Sequence, residues 1–166
     1  MAEPAQPQAT FALQNVYITD LSFEAPKGPS ILSPDWKPQV KLEFNSKNRA
    51  ITNDTFEVQM NITITVTQDD NTAFLIEVEQ GGLFLIRGLD QEQLRRALGA
   101  YAPEVLFPYV RETIDNVVLK GGFPPLRLAP MNFEALYQQA LEQHAAQQAE
   151  QSSAEEATKE GDNAGQ

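Results

Sequence analysis

The sequence predicts an α+β fold: a four-stranded antiparallel sheet with helices packed on one face. Three observations carry that expectation. From Thr55 to Thr67 apolar and polar residues alternate without error, which is the period of a strand with one dry and one wet face. Asp69-Asp70-Asn71 comes next and reads as a hairpin turn into a second strand, because Asx side chains support turns locally. Strand signals come first and helix signals afterwards, which is the α+β order and places the helices on the dry face.

In chain order, Phe11 to Phe23 reads as an irregular strand, with Leu13, Val16, Tyr17 and Ile18 giving it apolar residues on both faces. Ala25 to Pro38 is a loop held by Pro26, Pro29, Pro34 and Pro38, and it carries Trp36, the only tryptophan. Val40, Leu42 and Phe44 alternate with Lys41 and Glu43 in a second strand. The alternating stretch from Thr55 is the third. The fourth starts at Thr72 with Phe74, Ile76 and Val78 on its dry face, and Gly81-Gly82 interrupts it as a bulge or a close approach. Asp90 with Gln93 three residues on resembles a capping box and opens a helical segment to Ala100. Pro103 starts a second stretch that Pro108 bends and Gly121-Gly122 stops. Asn132 caps a last helix to Gln143, striped by Phe133, Leu136, Tyr137, Ala140 and Leu141.

The chain has 166 residues, enough for one domain, placed at residues 11–143. Residues 1–10 and 144–166 are expected to lack structure, because small polar residues, Gln, Glu and Ala bury too little to offset ordering them. Lys and Arg number 12 against 23 Asp and Glu, for a formal charge of −11, which repels phosphate backbones and favours a cationic protein surface as partner. With no Cys, disulfides, thiolate metal sites and cysteine nucleophiles are excluded; with His144 as the only histidine, so are His-based triads and multi-His metal sites. No signal peptide or membrane-spanning run is visible, so the chain reads as soluble and cytoplasmic, without insertion into a membrane.

Three features ask for more than a core. Between Arg49 and Arg87 there is no Lys or Arg, while Asp54, Glu57, Asp69, Asp70, Glu77 and Glu79 are all present. By parity Leu75 shares the wet face with Glu77 and Glu79; this is either a docking surface for a basic partner or a solvated face with a stray leucine. The Pro-rich loop brings Trp36 near Val40, Leu42 and Tyr137, either as an aromatic groove for extended peptide or as a plug at the sheet edge. The long helix carries an apolar arc of about 180°, wider than the usual stripe of about 100°, which asks for two packing partners or a second copy of the chain. Phosphate-loop and nucleophile-elbow strings are missing, and no enzyme activity or cofactor is expected.

Several stretches then match a known pattern. Thr19-Asp20-Leu21-Ser22-Phe23-Glu24-Ala25-Pro26 with Asp35-Trp36-Lys37-Pro38, Glu77-Val78-Glu79-Gln80-Gly81-Gly82, Leu98-Gly99-Ala100-Tyr101-Ala102-Pro103, Leu106-Phe107-Pro108-Tyr109 and Leu128-Ala129-Pro130-Met131-Asn132-Phe133 closely resemble the SecB family of protein-export chaperones, in one colinear run from Phe11 to Gln143. The resemblance implies a homotetramer, a dimer of dimers with long helices between two outer sheets. It implies an ATP-independent chaperone that holds unfolded precursor proteins in the cytoplasm and delivers them to the SecA ATPase. Asp20, Glu24, Leu75 and Glu77 match positions that dock the basic C-terminal tail of SecA. Trp36, Val40, Leu42, Tyr137 and Leu141 fall where the family lines its client groove, and Phe44 extends it. Phe74, Ile76, Val78 and Gln80 belong to the strand that supports the helices and assembly. Two alternatives stand beside this reading: a SecB-like chaperone dedicated to an antitoxin, and a small apolar-ligand binding protein using the helix–sheet interior.

Overall fold

The alternation from Thr55 becomes a strand of nearly the same length. In the computed structural model, which describes residues 9–162, four strands come first: β1 (Thr10–Glu24), β2 (Gln39–Ala50), β3 (Thr55–Gln68) and β4 (Asn71–Arg87). They pair antiparallel in the order β1-β4-β3-β2, which leaves β1 and β2 as the edges. The expected lack of structure at residues 1–8 and 163–166 lies outside the described residues.

Along β3, Val58, Met60, Ile62, Ile64 and Val66 are at most 1% exposed, and their odd-numbered neighbours face outward. Asp69 and Asp70 take φ of 49° and 62°, the left-handed pair of a two-residue hairpin turn. Gly81-Gly82 does not interrupt β4, whose register against both neighbours is unbroken there. The glycines answer a close approach instead: the Tyr17 ring lies over Gly81 on the outer face, and Leu106 lies over Gly82 on the inner face. The register shifts sit elsewhere: in β1, where Gln14 and Thr19 are extra residues between Leu13/Asn15 and Ile18/Asp20, and near the start of β4, where Ala73 is extra against Val66/Thr67. Each bulge reverses the parity of the strand residues beyond it, which is why β1 shows apolar residues on both faces.

The capping box is present: Gln93 N–H donates to Asp90 Oδ1 at 2.8 Å and Asp90 N–H donates to Gln93 Oε1 at 3.1 Å. It starts α1 (Gln91–Arg96), which passes through a π-turn (Ala97–Tyr101) directly into α2 (Ala102–Lys120). Pro103 therefore does not open a separate helix. The π-turn, in which Ala102 N–H bonds to Ala97 O, widens the spiral where the proline ring would press on the preceding turn. α2 runs through Pro108 and ends in a Schellman motif, with Gly122 at φ 82° and bonds from Phe123 N–H to Val118 O and from Gly122 N–H to Leu119 O.

Leu106, Val110, Ile114 and Val118 pack α2 onto the inner face of β3 and β4 and are fully buried. Asn132 Oδ1 accepts from Ala135 N–H at 2.9 Å at the start of α3 (Phe133–Asp162). α3 passes the expected end at Gln143, because the Ala, Gln and Glu that cannot build a core are still good helix formers. Its anchor is short: Phe133 is buried, Leu136 and Tyr137 are half-buried, and 138–149 are exposed.

Candidate functional site

The sheet separates two surfaces. On the outer face the register sets Glu24 opposite Leu75, Ser22 opposite Glu77 and Asp20 opposite Glu79. The four residues that sequence analysis assigned to docking thus come together across β1 and β4. The bulge at Thr19 is what returns Asp20 and Glu24 to this face. Asp20, Glu24 and Glu77 are exposed, and among the described residues no cation is ion-paired with any of them. Leu75, expected to be exposed, is half-buried between its neighbours.

Sequence reasoning missed two networks on this face. Glu79 is held by Gln59 Nε2 at 2.9 Å and Asn61 Nδ2 at 3.1 Å, neutral donors that leave its charge uncompensated. Further along, the Tyr17 hydroxyl reaches across Gly81 to donate to Glu57, which also pairs with Arg49. Arg49 first and Tyr17 second hold the Glu57 carboxyl below its usual range; burial, then the bond to Glu57, pushes the Tyr17 phenol up to about 12. The Gly81 opposite Tyr17 in the register was the available signal, but pairing cannot be read from one strand alone.

The inner edge carries the other surface. Phe44 on β2 packs edge-on to Phe133, with ring centres 5.4 Å apart, and Phe133 packs in the same way on Phe107 at 5.3 Å. Tyr137 on α3 rests on Gly99 of the π-turn, where an added Cβ would stand 2.5 Å from the ring. Between them opens a cavity of about 510 Å³ lined by β2, Gly99 and α3. Of the six expected groove residues, Phe44 and Tyr137 line this cavity. Leu42, half-buried, and Val40, 47% exposed, continue the same row of β2. Trp36 lies at the far end, half-buried with its ring 6.3 Å from Phe123, and the Lys37 N–H bond to Gln68 Oε1 at 3.0 Å ties down that end of the loop. Leu141 is exposed and does not line the cavity.

The four residues expected to serve assembly are buried within this chain: Phe74, Ile76, Val78 and Gln80 are at most 3% exposed beneath the helices. They have no surface to offer a second copy, so any effect on assembly passes through the packing they support. Most of the broad arc of α2 is covered within this chain: Leu106, Phe107, Val110, Ile114 and Val118 are buried, and Tyr109 is 46% exposed. Val105 on α2 and Tyr101 in the π-turn, spaced by four from Tyr109, continue an exposed stripe beside that arc at 36% and 43%. Among the described residues no helix is long and apolar enough to cross a membrane.

Fold and surfaces together define a class: an α+β binding protein with a neutral aromatic groove at one sheet edge and an uncompensated acidic patch on the opposite face. The family model for preprotein translocase subunit SecB matches residues 4–144. Proteins named protein-export protein SecB are similar over most of the chain. The one from Marinomonas sp. (strain MWYL1) is 52% identical over 130 residues, covering 78% of this chain and 82% of its own length. That of Pseudomonas savastanoi pv. phaseolicola is 50% identical, covering 79% and 81%. A Mycobacterium tuberculosis SecB-like chaperone, solved in complex with a ChAD peptide from an antitoxin, shares the fold with a TM-score of 0.63 at 19% identity, covering 73% of this chain and 90% of the other. The chain belongs to the SecB family of protein-export chaperones.

Proposed function

We propose that this chain holds unfolded precursor polypeptides along the β2–α3 groove and presents its acidic outer face to the SecA ATPase. The observation that carries this reading is the placement of the two surfaces on opposite sides of one sheet. A client seated against Phe44 and Tyr137 leaves Asp20, Glu24, Leu75 and Glu77 open to a basic partner, so client and SecA can be bound together. Unfolded chains expose apolar segments that folding hides, and that difference supplies the selectivity. No step of this binding and release calls for ATP, a cofactor or catalysis.

The uncovered stripe of Tyr101 in the π-turn with Val105 and Tyr109 on α2, together with the long edge of β1, supports self-assembly into a homotetramer, in which several grooves bind one client with added avidity. The site of action is the cytoplasm, where precursors are made. Leu75→Gln and Glu77→Lys should weaken SecA binding at least tenfold while client retention and the tetramer persist; both are read by light scattering after size exclusion. Loss of the tetramer in these variants would move the two residues from docking to assembly. A chaperone dedicated to one antitoxin would use the same groove, and it is separated by competition: many unrelated unfolded precursors displace a bound client in the first reading and none in the second. The helix–sheet interior is filled by Phe74, Ile76, Val78 and Leu106, which does not favour a pocket for a small apolar ligand there.

A further inference from the structure

The cavity between β2 and α3 has a composition unlike the rest of the surface. On a chain of charge −11, no Asp, Glu, Lys or Arg among the described residues lines it. Its aromatic members, Phe44 and Tyr137, are fixed from behind by Phe133 and Gly99. Around them stand three carboxamides, Asn48 from the edge strand and Gln139 and Gln143 from one face of α3. All three are exposed, and among the described residues none of these side chains hydrogen-bonds to the rest of the chain.

Resting on the client reading above, we infer that these three carboxamides read the peptide backbone of the client, while Phe44 and Tyr137 receive one of its apolar side chains. A carboxamide carries a carbonyl acceptor and an N–H donor, the same pair that a peptide group presents, so it satisfies an extended backbone whatever the residue. A charged rim would instead select for or against charged clients. Net hydrogen bonds to neutral groups are individually modest, so a few of them tune binding without making release slow. The arrangement applies two criteria at once: an apolar side chain must be exposed and the backbone beside it must be unpaired. A folded domain satisfies neither, because its backbone groups are already bonded. An apolar small molecule satisfies only the first.

The test uses the full chain and two synthetic peptides of the same sequence, about twenty residues long with one central aromatic residue. One is unmodified and the other is N-methylated at alternate backbone amides near that aromatic. Binding is followed by fluorescence anisotropy. The unmodified peptide should bind at least tenfold more tightly. In a Gln139→Met/Gln143→Met variant, which keeps side-chain length and helix propensity, the unmodified peptide should weaken and the gap between the two should shrink. Equal binding of both peptides to the parent chain would overturn backbone reading and leave the client groove standing as a side-chain site. A gap unchanged in the Met variant would overturn the role of α3 and assign the reading to the β2 edge. If neither peptide bound the parent chain, the client groove itself would fall.

Discussion

Gly99→Ala tests how the groove is set. The ideal Cβ at this position stands 2.5 Å from Cδ2 and 2.6 Å from Cε2 of Tyr137. Carbon atoms rest at about 3.5–4.0 Å, so the ring must retreat by about 1 Å. It cannot do so freely, because α3 is pinned one turn earlier by Phe133 between Phe44 and Phe107, and by the Arg96–Glu134 pair at 3.0 Å. Overpacking of this kind costs about 1–3 kcal/mol. Replacing Gly by Ala within a helix returns about 1 kcal/mol. The expected result is a net loss of about 1 kcal/mol in urea unfolding at fixed protein concentration, with client affinity reduced as Tyr137 shifts in the groove. In a Tyr137→Ala background the obstruction is gone, and the same Gly99→Ala change should stabilise by about 1 kcal/mol. If Gly99→Ala stabilised the parent chain as much as the Tyr137→Ala chain, the ring would be yielding at no cost and the argument would be refuted.

Gly81→Ala should lower stability by about 1–3 kcal/mol in urea, because the added methyl displaces Tyr17 and parts it from Glu57; in a Tyr17→Ala background most of that cost should vanish. Stability should be bounded at both ends of the pH range. The Glu57 carboxyl is held below its ordinary 4.5 in the fold, so its contribution is present above that value and is lost as pH falls through the lower folded value. Tyr17 is raised from 10.0 to about 12, so its contribution is present below pH 10 and is lost between there and about 12. Thermal midpoints against pH should show both shoulders, with Glu57→Gln removing the acid one and Tyr17→Phe the alkaline one. Phe133→Ala should cost about 3–5 kcal/mol and raise hydrogen exchange in the first turn of α3, since one ring holds both Phe44 and Phe107.

The elements whose patterns are local were legible in the sequence. β3 was readable because its alternation needs no neighbour to interpret it, and the capping box at Asp90 and the stop at Gly121-Gly122 because each is a short-range exchange of hydrogen bonds. What escaped depended on pairing. The bulges at Gln14 and Thr19 exist only relative to β4, and the glycine pair makes sense only once Tyr17 and Leu106 are seen to approach from opposite faces. The π-turn was hidden because Pro103 suits the first turn of a helix as well as it suits a widened one. For the site, parity placed Leu75 and Glu77 on one sheet face, whereas Asp20 and Glu24 were named by the family resemblance and reach that face only through the bulge at Thr19. The groove was only half legible: Phe44 and Tyr137 line its cavity, whereas Leu141 shares the helical stripe of Tyr137 but is exposed outside it, and the carboxamides gave no periodic signal at all.

The central claim is that this chain binds polypeptides because they are unfolded. The most direct measurement is light scattering after size exclusion of the full chain mixed with one precursor protein, added either native or freshly diluted from urea. The account predicts a complex with the unfolded precursor alone, at a mass equal to the free assembly plus one client. Equal retention of the native precursor, or retention of neither form, would contradict it.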